Sequence, residues 1–238
     1  ELPIHIHWGK RIDRIPDDWG KTYTRRALSA YDRGEFSSNT LPQEYPTFGN
    51  ADNRIPAMQI SSGVNGQQVK LKFSKYEIES GKPALEGLPA TYTEADSEAD
   101  TLKITLTDEV QQLEVTLYYT VFNNIDAITR STVIKNLGEK TVLCGAMSAA
   151  VDGTWTRERQ ITRKRITSGN QCVESRCGAS SAYHSPFMAV CSKDAAETQG
   201  DVYGFSLVYS GDFVAGVELD AYNTARAYIG INPFQFSY

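Results

Sequence analysis

Leu113, Val115, Leu117, Tyr119 and Val121 occupy every second position of one short stretch. A period of two places all five on one face of a strand, whereas a helix would scatter them around its circumference. The same grammar recurs along the chain. Leu102, Ile104 and Leu106 precede this stretch across an Asp108-Glu109 turn, and residues 126–135 follow it. The turn Asn136-Leu137-Gly138-Glu139 then leads into an apolar run over 142–151. Val69, Leu71 and Phe73 alternate with Gln68, Lys70 and Lys72 after a Val64-Asn65-Gly66 hairpin signal. Gly81-Lys82-Pro83 and Gly87-Leu88-Pro89 punctuate the next connection. Apolar stretches at 187–191, 202–209, 214–219 and 225–231 complete the set. Strands at short intervals with no amphipathic helix between them predict an all-β chain, a large antiparallel β-sandwich stacking sheets face to face. No repeat or flexible linker divides it, so residues 1–238 read as one domain.

Leu2, Ile4, Ile6 and Trp8 alternate with Pro3, His5 and His7, which predicts an N-terminal strand with both histidines on its polar face. That start, and the equally abrupt Phe234-Gln235-Phe236-Ser237-Tyr238, read as ends cut from a longer polypeptide.

Composition excludes more than it identifies. Hydrophobic residues make up 40% and charged residues 22% of the chain, enough for a sizeable core. A net charge of −5 and a pI near 5.3 argue against a general nucleic-acid binder. No polybasic anchor and no apolar run of about 18 residues points to a membrane. The basic segment 155–165 puts Arg157, Arg159, Arg163 and Arg165 on alternate positions, which reads as a charged strand face or subunit contact. Four cysteines are too few for a disulfide scaffold at this length. Cys172 and Cys177 resemble half of a zinc site, but no second pair follows, so buried reduced thiols and no metal are expected. Reduced thiols also make a cytoplasmic location the default. No strained glycine-flanked serine and no phosphate loop is present, so a self-contained enzyme would have to use paired carboxylates, which spacing alone does not establish.

Residues 41–57 do not follow the strand grammar. They hold three prolines (Pro42, Pro46, Pro56), Gly49, Glu44, Asp52, Arg54, Tyr45 and Phe48. Proline removes a donor and fixes φ, so this is neither a central strand nor a helix interior but a long ordered loop, the usual place for function. Asp52 and Arg54 flank one residue, so an extended backbone projects both to one side. Such a pair suits a sugar, the carboxylate accepting from hydroxyls and the guanidinium donating to them, with Tyr45 or Phe48 against its C–H face. It also suits a brace within the loop, and spacing alone favours the brace.

Leu41-Pro42-Gln43-Glu44-Tyr45-Pro46, with Gly49, Asp52, Arg54 and Pro56-Ala57 after it, resembles the amino-terminal domain of bacterial glycoside hydrolase family 36 α-galactosidases. Further segments agree in order: Trp8-Gly9-Lys10-Arg11, residues 155–159, Gly178-Ala179-Ser180-Ser181 with His184, Pro186 and Phe187, residues 202–211, and Gly230-Ile231-Asn232-Pro233. The resemblance implies a β-supersandwich preceding a (β/α)8 barrel that carries both catalytic aspartates of a retaining exo-glycosidase, so that this chain holds no catalytic residue, is inactive alone and calls for no cofactor. The partners it implies are α-galactosides of the melibiose and raffinose type, the enzyme's own barrel, and sister subunits in a homotetramer. It further implies that the loop helps enclose galactose in a neighbouring subunit, with Asp52 and Arg54 as substrate-binding residues. Asn53 stands where many relatives have an aromatic residue. The competing expectations are a stand-alone carbohydrate-binding module and a purely structural interaction domain.

Overall fold

The structure is a computed structural model describing residues 3–7, 9, 12–15, 17, 41–50, 52–61, 68–87, 89–139, 143–153, 160–161, 164–181, 183–220 and 225–233. The expected hairpin turn at Val64-Asn65-Gly66, residues Trp8, Lys10 and Arg11, and most of the basic segment 155–165 lie outside the described residues.

The described residues form three antiparallel sheets. One holds β2 (Lys72–Ser80), β3 (Ala99–Asp108), β4 (Leu113–Phe122) and β5 (Ile128–Asn136) in sequence order, a plain meander. The central sheet has five strands in the order β1-β6-β13-β12-β9. These are β1 (Met58–Ser61), β6 (Leu143–Gly153), β9 (Gly169–Glu174), β12 (Phe213–Leu219) and β13 (Ala225–Ile231). The third sheet, in the order β11-β10-β7-β8, comprises β7 (Gln160–Ile161), β8 (Lys164–Arg165), β10 (Phe187–Cys191) and β11 (Val202–Ser206).

Burial shows how the sheets stack. Leu106, Leu113, Val115 and Leu117 from the meander meet Met58, Ile60 and Tyr228 from the central sheet in one core. Phe213, Ala215, Val217, Ala227 and Ile229, on the other face of the central sheet, meet Met188 and Val190 in a second. Alternate residues of β12 and β13 therefore serve different cores, and the central sheet is covered on both faces. That is why residues 225–230 are buried without a break.

Gly216 marks the tightest point of this layer. It pairs with Tyr228 on one side and Cys172 on the other. A Cβ there would lie 2.6 Å from the Gln171 carbonyl oxygen and 2.8 Å from the Tyr228 hydroxyl oxygen. Glycine lets the Tyr228 hydroxyl donate to Asn170 Oδ1 at 2.8 Å, which fixes the ring beside the edge strand.

The all-β expectation holds, and several local expectations are corrected. Residues 3–7 make only an isolated bridge, Ile4 with Gln43, in place of a strand. His5 is not on a solvated face: its Nε2 pairs with Glu44 Oε2, while Ile6 is exposed. The strand expected at 69–73 starts only at Lys72; Val69 and Leu71 are buried, but Phe73 is exposed where the β2–β3 register slips. The run expected at 202–209 leaves the sheet after Ser206. Cys172 and Cys177 are exposed free thiols, not buried ones. β9 had no sequence signal, because Gly169-Asn170-Gln171-Cys172-Val173-Glu174 has no alternation of its own and is held by its pairing with β12.

Candidate functional site: the loop over residues 41–57

Residues 41–50 and 52–57 form an ordered loop closed at its neck. The Ala57 amide donates to the Pro46 carbonyl at 2.7 Å and the Phe48 amide to the Met58 carbonyl at 3.0 Å. Thr47 Oγ1 donates to the Val69 carbonyl at 2.6 Å, and Gly49 makes the turn at φ +91°. A loop whose ends are bonded to each other presents its middle as a unit.

Two buried polar clusters hold that middle and its entry. In the first, Asp52 Oδ1 accepts from the Arg54 amide at 3.1 Å and from Arg54 Nε at 2.8 Å. Its Oδ2 accepts from Arg54 Nη2 at 2.8 Å, Arg226 Nη2 at 2.9 Å and Gln43 Nε2 at 2.9 Å. The Asp52 and Arg54 side chains are 2% and 3% exposed, and that of Arg226 is fully buried. Arg54 Nη2 also donates to the Leu41 carbonyl at 2.8 Å, tying the middle of the loop to its start. Arg226 Nη1 donates to the Ile55 carbonyl at 3.0 Å, and the Ile55 amide donates to Glu218 Oε2 at 2.6 Å.

The second cluster holds the loop's entry. Glu44 Oε1 accepts from Arg130 Nη2 at 2.5 Å and from the Tyr119 hydroxyl, and its Oε2 meets His5. The Arg130 guanidinium lies 5.0 Å from the centre of the Tyr119 ring. The next residue, Tyr45, is buried in the core at φ +45°, a conformation that costs a bulky residue about 1–3 kcal/mol. Ion pairing of Glu44 on one side and packing of Tyr45 on the other hold that turn.

Burial alone would raise the Asp52 carboxyl, but the Arg54 hydrogen bonds and the Arg226 charge outweigh it and hold it below the ordinary carboxylate range. Glu44 is likewise lowered: burial opposes, and Arg130 with His5 and Tyr119 prevails. Glu218 is raised, because burial exceeds the help of the Ile55 amide and Arg226. The stabilisation from Asp52 and Glu44 is thus fully present above their unfolded values, about 4, and lost as pH falls through the lowered folded ones. Glu218 contributes with the opposite sign, stabilising below its unfolded value and losing this as pH rises through the raised one. Two lowered carboxyls against one raised give a urea midpoint that is expected to be lower at pH 3 than at pH 7. Asp52→Asn should flatten this dependence, and an equally steep profile in that variant would place the proton uptake elsewhere.

Asp52 and Arg54 both face inward as a brace, as spacing favoured, so Asn53 between them is exposed. Asn53, Phe48, Gly49, Asp52, Arg54, Ile55 and Pro56 line an open concavity of about 470 Å³. The sequence reading singled out Asp52 and Arg54 but not Gln43, Glu218 and Arg226, which join them in this cluster. Arg226 carried a legible signal: an arginine inside Ala225-Arg226-Ala227-Tyr228-Ile229 is a charge in an apolar strand, and a buried charge needs a partner.

Two sheets stacked on a five-stranded centre, with one braced loop beside an open concavity, define a β-supersandwich domain. The chain belongs to the family described as the Glycosyl hydrolase family 36 N-terminal domain, whose profile matches residues 1–238. It is 43% identical to the α-galactosidase AgaA of Geobacillus stearothermophilus, the match covering 98% of this chain and 34% of that protein. It is 36% identical to the bifunctional α-galactosidase/sucrose kinase AgaSK of Mediterraneibacter gnavus, covering 99% of this chain and 27% of that one. The crystal structure of Geobacillus AgaA superposes with a TM-score of 0.90 at 40% identity, over 97% of this chain and 34% of that one. Related AgaA structures contain raffinose and stachyose. The chain spans about a third of the length of the curated relatives it matches first.

Proposed function

We propose that this chain is the accessory and assembly domain of a retaining α-galactosidase that hydrolyses terminal α-galactosides of the raffinose type. In this reading the loop over 41–57 forms one wall of the sugar pocket of a neighbouring subunit in a homo-oligomer. The observation that carries the proposal is the rigidly braced loop beside an open concavity, in a domain whose relatives are α-galactosidases. Asp52 and Arg54 serve as substrate-binding residues through the wall they build. Their polar atoms bond one another, and the surface offered to a sugar runs over Asn53 and Phe48. Retaining hydrolysis needs two carboxyl groups about 5–5.5 Å apart, one attacking the anomeric carbon and one protonating the leaving oxygen. In this proposal both stand on the catalytic barrel.

The test is steady-state kinetics of the assembled enzyme. Asp52→Asn and Arg54→Lys are each expected to lower kcat/KM for raffinose by about tenfold or more, chiefly through KM, as the loss of an interaction shared by ground and transition states requires. The 238-residue chain alone is expected to show no turnover of p-nitrophenyl α-galactoside above a buffer control. Unchanged kcat/KM in both variants would remove the loop from the pocket. Saturable galactose binding by the chain alone would favour a stand-alone carbohydrate-binding module instead.

A further inference from the structure

Arg226 and Glu218 stand directly opposite one another on β13 and β12, on the face of the central sheet that the loop covers. Arg226 sits in a strand whose neighbours Ala225, Ala227, Tyr228 and Ile229 are apolar and buried. Apolar side chains of similar volume in place of both Arg226 and Asp52 would hold the layers together as well or better, since taking paired charges out of water is costly. What an apolar side chain lacks is direction. The Arg226 fork reaches two separated points of the loop, Asp52 Oδ2 at 2.9 Å and the Ile55 carbonyl at 3.0 Å. Glu218 takes the amide of the same Ile55 at 2.6 Å. The backbone at Ile55 is thus pinned at its N–H and its C=O by adjacent strands, and Asp52 is pinned three residues earlier. Between these anchors lie Asn53, facing out, and Arg54, facing in.

We propose that Arg226 and Glu218 are positioning residues: the cross-strand pair sets the shape of the ligand-facing loop, and through it the apparent affinity of the assembled enzyme for α-galactosides. The proposal rests on the sugar-facing role of the loop given above. It explains why an arginine and not a lysine stands at 226. An ammonium supplies the charge for Asp52 but cannot present two coplanar donors to Asp52 and to the Ile55 carbonyl together.

The experiment compares Arg226→Lys, Glu218→Ala and Glu218→Gln by amide hydrogen exchange on the full chain without sugar, and by kinetics on the assembled enzyme. In Glu218→Ala the Ile55 amide is expected to exchange about tenfold faster or more, and in Glu218→Gln, which keeps an acceptor oxygen, near the parent rate. Arg226→Lys should accelerate Asn53, Arg54 and Ile55 while Leu117 on β4 and Ile229 on β13 stay protected. In the enzyme, Arg226→Lys and Glu218→Ala should raise KM about tenfold with kcat within about twofold, and Glu218→Gln should restore KM. Unchanged exchange at the loop overturns the proposal, and so does an acceleration spread equally over Leu117 and Ile229, which would mark a purely structural role. Loosened loop amides with unchanged KM would leave the clamp standing and overturn the sugar-facing role of the loop.

Discussion

Asp52→Ala is expected to lower the unfolding free energy of the chain by about 3–5 kcal/mol, the cost of removing one partner from a buried ion pair. The carboxylate stands between Arg54 and Arg226, whose side chains are 3% and 0% exposed. Without it two like charges share a dry site, and Gln43 Nε2 loses one acceptor, Asp52 Oδ2. The measurement is the urea midpoint at pH 7 with an unchanged m-value. Asp52→Asn keeps the shape but not the charge and should fall between the two. Replacing the buried pair together, as in Asp52→Leu with Arg226→Met, should recover part of the loss, because two desolvation costs vanish with the pair. A double variant less stable than Asp52→Ala would mean that the pair contributes more than its own compensation.

The second large effect is expected at Glu44. Glu44→Ala removes the carboxylate that Arg130, His5 and the Tyr119 hydroxyl share. Arg130 and His5 keep some access to water, so the expected loss is about 3 kcal/mol, the lower end of the range for a broken buried pair. The effect should not be confined to stability. The amides of His5 and Glu44 donate to the carbonyls of Pro42 and Pro3, so the N-terminal segment is held to the loop beside this carboxylate. Faster exchange at the His5 amide should accompany the lower midpoint. A destabilised variant with an intact His5 amide would assign the loss to the Tyr119–Arg130 side alone.

The alternation of Leu113 to Val121 located β4 and, from Leu113 to Leu117, its buried face, and residues 214–219 and 225–231 were visible as apolar runs. Their surroundings were not visible. The sequence of β13 is compatible with a two-layer sandwich. Only the packing of Tyr228 into one core and Ile229 into the other shows a sheet covered on both faces. β9 was invisible for the complementary reason, since its pairing is imposed by β12 and not by its own side chains.

The loop divides in the same way. Three prolines and a glycine within residues 41–57 determined that the chain leaves the sheets there, because proline cannot donate to a ladder. The spacing of Asp52 and Arg54 determined that both side chains share one side of the backbone. Whether that side faced solvent or core could not be read from spacing, because the deciding residues lie more than 160 positions away on β12 and β13. Local sequence sets backbone propensity and side-chain parity, which are properties of neighbours. Burial of a charge is settled by which distant groups arrive to compensate it, and here Arg226 and Glu218 turn an exposed-looking pair into the brace beneath Asn53.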